Sequence, residues 1–135
     1  MKINFIVTVW GSKYIESFNN NFLTSFCNDK TFLGFDEFLS KESSLIIYTL
    51  KKDSDLFNKE KISKLKVNLN VDIKYLDNIF SIIESDKYEL LSKLQNIIIN
   101  LNYDCDYLSF IYPDFIFSKE SIYNCLKLLK KNNYS

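Results

Sequence analysis

The sequence predicts one α/β domain over residues 1–135, a three-layer α/β/α sandwich built on a mainly parallel sheet. Three observations carry this expectation. Ile3 to Trp10 (INFIVTVW), Leu45 to Leu50 (LIIYTL) and Tyr107 to Tyr112 (YLSFIY) are nearly unbroken apolar runs, the pattern of strands buried on both faces. Strand-like and helix-like stretches alternate along the chain as β-α-β-α-β-α-β-α, which favours a parallel sheet covered by helices. Finally, 135 residues suffice for one domain with a real core.

Each element follows from local chemistry. Ile3 to Trp10 is β-branched and aromatic, and Gly11-Ser12 breaks it. Ile15, Phe18, Phe22 and Phe26 then recur at helical spacing, predicting an amphipathic helix over Lys13 to Cys27 whose aromatic stripe is core. Asn28 to Lys41, with Gly34 and scattered phenylalanines, reads as a loop with one helical turn. After Leu45 to Leu50, either Asp53 or Ser54 can cap a helix carrying Leu56, Phe57, Ile62 and Leu65. Val67 to Tyr75 alternates strictly, apolar against Asn68, Asn70, Asp72 and Lys74, as a strand with one wet face at a sheet edge does. Asp77 to Asn102 is predicted helical with a break at Ser85-Asp86, its second half striped by Tyr88, Leu91, Leu94, Ile98 and Leu101. Ser118 is the expected N-cap of a last helix through Ile122, Cys125/Leu126 and Leu129.

Composition excludes several classes. Basic and acidic residues balance at 17 each, which indicates no nucleic-acid footprint. With no histidine and three widely spaced cysteines (Cys27, Cys105, Cys125), a His-containing zinc site and a catalytic triad are out. The cysteines suit reduced thiols in a core, and no apolar run approaches the roughly 20 residues of a membrane span, so a cytoplasmic location is expected. Only two glycines exist, so neither GxGxxG nor a P-loop can form.

The stretch Tyr107 to Ile122 organises the rest. A buried strand meets Pro113, which forbids a further ladder bond, and Asp114 follows where the chain leaves the sheet. A carboxylate at the carboxyl end of such a strand sits where open α/β sheets place ligands. The literal D-x-D at Asp104 and Asp106 precedes the strand, some 17 Å from that end at about 3.3 Å per residue. It reads as a solvated turn.

Three segments, in order, carry a resemblance. FIYPDFIFSKESI (Phe110 to Ile122) resembles the FLDxDDxLxPxxL segment of GT-A-fold glycosyltransferases of the family 2 type, with Asp114 on the second acid of the DxD motif. FIVTVWGSKYI (Phe5 to Ile15) resembles their first strand and turn, IIPTYNxxxYL, with Trp10 on the aromatic. LIIYTLKKDSD (Leu45 to Asp55) resembles IIVVDDGSTD, with Thr49 at the first acid and one extra residue. The resemblance implies strand order 3-2-1-4 and an N-terminal, Rossmann-like half that binds a nucleotide-activated sugar as donor for transfer to an acceptor it does not identify. It implies that Trp10 stacks on the base, that Thr8, Thr49 and Asp53 or Asp55 bond base or ribose, and that Asp114 helps hold Mn²⁺ or Mg²⁺ on the diphosphate.

Departures from the family pattern set a second expectation. Tyr112 stands where the first acid belongs, and reads as core packing, while Thr49 replaces an acid. The chain stops one helix after Asp114, whereas the family's acceptor half and catalytic base come later, so no catalytic residue is assigned. The chain is then a fragment of a transferase, or a degenerate, non-catalytic α/β module that binds a partner. Apolar surface left where the other half docks would favour self-association.

Overall fold

A computed structural model describes residues 1–80 and 87–132. Four strands, β1 (Ile3–Thr8), β2 (Ser44–Thr49), β3 (Asn70–Tyr75) and β4 (Tyr107–Phe110), form one all-parallel sheet in the order β3-β2-β1-β4. Its register pairs Asn4 with Ser44 and Leu108, and Ser44 with Asn70. With its helices this is an α/β architecture of Rossmann-like type.

Alternation along β1 and β2 divides the core in two. Phe5, Val7, Leu45 and Ile47 join a cluster with Phe18, Phe22 and Phe26, with Phe35 of α3 (Asp29–Phe38) and Leu65 of α4 (Lys59–Lys66), and with Ile122 and Leu126 of α7 (Ser121–Asn132). Ile6, Ile46 and Tyr48 instead pack with Leu76 and with Leu94 and Ile98 of α6 (Lys87–Leu101). Phe18, Phe22 and Phe26 are fully buried and stack at 4.7 and 5.3 Å between centroids. Each such ring contributes about 1.5–3 kcal/mol through burial alone.

The first helix follows its expected stripe but not its expected geometry. It runs as α1 (Ser12–Ser17), a π-helical stretch (Phe18–Leu23) and α2 (Thr24–Phe26). Within it the Asn19 carbonyl accepts from Lys61 Nζ at 3.0 Å and from Thr24 Oγ1 at 3.3 Å, and Lys61 also donates to Thr24 Oγ1 at 2.7 Å.

Several expectations need correction. The segment expected as a loop is α3, capped by Asn28, whose Oδ1 accepts the Thr31 N–H at 2.9 Å. Gly34 lies within it because α7 crosses there; an added Cβ would stand 3.4 Å from the Tyr123 Cα. After β2 a short 3₁₀ segment (Lys51–Leu56) intervenes, and α4 is capped by Asn58 rather than Asp53 or Ser54. The last helix begins at Ser121, one turn past Ser118, which accepts the Ser121 N–H at 3.1 Å. β3 is an edge strand with Asp72 and Lys74 exposed, but it starts at Asn70, and Val67 and Tyr75, expected on the apolar face, are exposed. β4 is only half-buried because it forms the opposite edge, with a neighbour on one side alone. Asp77–Phe80 (α5) and α6 occupy the long helical region; the expected break at Ser85-Asp86 lies outside the described residues. Within its stripe Leu94 and Ile98 are buried, whereas Leu101 is exposed. The cysteines are free thiols, yet Cys125 is exposed rather than core.

Candidate functional site

β1 has β2 on one side and β4 on the other. The chain runs outward from β1 through β2 to β3 and then crosses back to β4 on the other side of β1, so the strand order reverses there. A crevice opens beyond the carboxyl ends of β1 and β4, the usual ligand position in open parallel sheets. A cavity of about 510 Å³ occupies that place, within the ordinary range for small-molecule sites.

Its wall is built by strand parity. Ile6, Thr8 and Trp10 project from successive even positions of β1 and its exit, and Phe110 and Tyr112 do the same from β4. Leu90, Leu94 and Gln95 of α6 close it from above the sheet, with Tyr14 of α1 and Pro113 at its mouth. The lining is apolar and aromatic; Thr8, Ser92 and Gln95 are its polar members besides the Tyr14 and Tyr112 hydroxyls and the Trp10 N–H. Among the described residues no lining side chain carries a charge.

A second hollow of about 430 Å³ adjoins the first and shares Tyr14 and Pro113 with it. Lys13, Ser17 and Asp114 complete its wall. The chain segment carrying Asp114 is pinned from behind. The Phe117 N–H donates to Ser25 Oγ at 2.9 Å, and the Phe117 ring lies 5.3 Å from Phe22 and 5.4 Å from Phe26.

Of the residues singled out from sequence, Thr8 and Trp10 meet in the first cavity and Asp114 borders the second. Thr49 does not join them. It is wholly buried, on the β2 face turned away from Tyr48, and its hydroxyl finds no hydrogen-bond partner among the described residues. Asp53 is also buried, and its Oδ2 accepts the Gly11 N–H at 2.9 Å. Asp55 is exposed and lines neither hollow. Tyr112, expected in the core, is 60% exposed and packs edge-on against Phe115 at 5.3 Å. The reason is again the edge position of β4, beyond which no strand covers it. Asp104 and Asp106 lie at the opposite end of β4, where Asp106 accepts the Lys2 N–H at 2.7 Å and Asp104 pairs with Lys2 Nζ at 3.3 Å.

Sequence reasoning missed Lys13, Tyr14 and Ser17. The signal was present: Lys13 and Ser17 are four apart, off the Ile15-Phe18-Phe22 stripe, and therefore share the helix face away from the core.

No protein-family model matches the chain, and neither does any curated protein or solved structure. The functional reading therefore rests on the site's own chemistry. Among the described residues no three Cys, Asp or Glu side chains converge as an ion site, and no described helix is long and apolar enough to cross a membrane.

Proposed function

We propose that the protein is a glycosyltransferase-like domain of three-layer α/β/α, GT-A type that binds a nucleotide-activated sugar. The observation that supports this best is the cavity at the carboxyl ends of β1 and β4 with Trp10 and Thr8 in its wall. Trp10 offers a flat π-face for a nucleobase, and the Thr8 hydroxyl a hydrogen bond at its edge. An uncharged, aromatic chamber suits a base, because a planar heterocycle loses little hydration there and gains stacking.

The divalent ion that the resemblance implies fits these residues poorly. Asp114 is a single, exposed carboxylate, and hard cations need about six oxygen ligands. No step is assigned to a metal, and no residue is assigned as catalytic base.

A thermal-shift series with UDP, GDP and their sugars tests the reading. Ligand at about 100 times its dissociation constant should add roughly 2.7 kcal/mol of stability. Trp10→Ala should abolish the shift while the variant still melts cooperatively. A cooperative melt that no nucleotide moves would sink the proposal.

That outcome favours the second reading, a non-catalytic module that binds a partner. Tyr112, Phe115 and Ile116 expose apolar surface around Asp114, which supports it.

A further inference from the structure

We propose that Lys13 supplies the positive charge for the ligand's phosphate, so that a phosphate ester binds here without a divalent ion. The inference rests on the nucleotide reading above and names how that ligand's anionic part is held.

The two hollows differ in kind. Among the described residues the first has no charged wall side chain to offset the hydration a phosphate would lose there. The second carries one cation, Lys13, and one anion, Asp114. Because the hollows share Tyr14 and Pro113, a single ligand can span them, base in the first and phosphate in the second. Asp114 alone repels a phosphate, and among the described residues no other carboxylate lines that hollow and no group of three metal ligands forms. Lys13 attracts it directly.

Lys13 is available for that role. It has no ion-pair partner among the described residues. Its place in the first turn of α1 does nothing for the helix, since a cation there opposes the macrodipole. Ser17, on the same wall, accepts from Asn21 Nδ2 at 3.2 Å and keeps its own O–H to donate. A lysine and a hydroxyl four residues apart on one helix face make a small anion clamp.

Calorimetric titration of UDP, GDP, uridine and guanosine, in EDTA and in Mn²⁺, tests this with wild type, Lys13→Gln and Asp114→Asn. In EDTA a diphosphate should bind more tightly than its nucleoside, and the advantage should shrink with added salt. Lys13→Gln should remove that advantage, a loss of about tenfold. Asp114→Asn should leave the affinity in EDTA unchanged or raise it. Lys13 is exposed, so its variant should melt like wild type. Diphosphate binding that requires Mn²⁺, vanishes in Asp114→Asn and survives Lys13→Gln would overturn the assignment and leave the nucleotide site standing. If neither nucleosides nor diphosphates bind the folded protein, the nucleotide reading falls and this inference with it.

Discussion

The Asp53 carboxylate accepts the Gly11 N–H at 2.9 Å, joining the exit of β2 to the exit of β1 across 42 residues of sequence. Gly11 has φ 89° and ψ 137°, and sits between Trp10 in one hollow and Lys13 in the other. One buried carboxylate thus fixes the turn from which both candidate contacts project. The resemblance offered Asp53 or Asp55 to a ligand; the geometry gives Asp53 to the scaffold that carries the candidate contacts.

Asp53→Ala should therefore destabilise the fold by about 1.5–3 kcal/mol, the usual range for losing a hydrogen bond to a charged acceptor. For a domain of this size that lowers the melting temperature by roughly 5–10 °C. Asp53→Asn keeps an acceptor oxygen and should cost less. Gly11→Ala attacks the same turn from the backbone. An added Cβ meets only Tyr14 Cδ2 at an ordinary 3.5 Å, so its cost of about 1–3 kcal/mol is conformational. Denaturant midpoints of the variants check the sizes, and equal stability of Asp53→Ala and wild type would refute the role.

Thr49→Val makes the opposite prediction. The Thr49 hydroxyl is buried without a partner among the described residues, an arrangement that ordinarily costs about 1–3 kcal/mol. Valine keeps the shape and removes the polar atom, so the variant should be as stable as wild type or more so. Its nucleotide affinity should not change, because the side chain stands outside both hollows. A drop in affinity would restore Thr49 to the site.

The Asp114 segment should loosen when its pin is removed. Phe117→Ala deletes three ring contacts, one with Phe115 at 6.1 Å in its own segment and two with Phe22 and Phe26 of the core at 5.3 and 5.4 Å. The core pair contributes about 0.5–1.5 kcal/mol each beyond burial. A total near 2 kcal/mol follows. Ser25→Ala leaves the Phe117 N–H without its acceptor, and should cost about 1 kcal/mol. Hydrogen exchange read at Phe117 should quicken in Ser25→Ala well before global unfolding does. Unchanged exchange there would mean that the bond does not hold the segment.

The fold was largely legible because β1 and β2 state their burial in every residue, and β3 states its edge position by alternation. β4 misled, since an apolar run looks the same whether strands or helices bury it. α3 was hidden by Gly34, which reads as a breaker until α7 is seen packed over it, with the Tyr123 Cα 3.4 Å from where a Cβ would stand. At the cavity, the placement of Thr8 and Trp10 was legible because both stand at the carboxyl end of the first apolar run, just before the Gly11 break. Thr49 was not: the LIIYTLKKDSD match carries one extra residue, and on a strand a shift of one exchanges faces. Lys13 was missed because a lysine off the apolar stripe of a helix is ordinarily just solvated. Only the Pro113-Asp114 turn, distant in sequence, gives it a companion.

Thiol chemistry offers a last prediction. Burial pushes the Cys27 thiol up to about 11, against partial relief from Lys64 and Lys61. At neutral pH the thiol is protonated, and thiolates are the reactive form. Alkylation should therefore label exposed Cys125 first and Cys27 slowly in the folded protein. The same shift sets a pH dependence. Between 9.0 and about 11 the unfolded chain releases the Cys27 proton while the folded chain keeps it, so stability falls as pH rises through that window. Tyr123 acts in the same direction above its ordinary 10.0, because its hydroxyl donates to Glu37 at 2.9 Å and the bond is lost on ionisation. Urea midpoints measured from pH 8 to 11 should decline, and Cys27→Ala should flatten the lower part of the decline. A Cys27→Ala profile parallel to wild type would show that Cys27 ionises alike in both states, and that its thiol is not shielded.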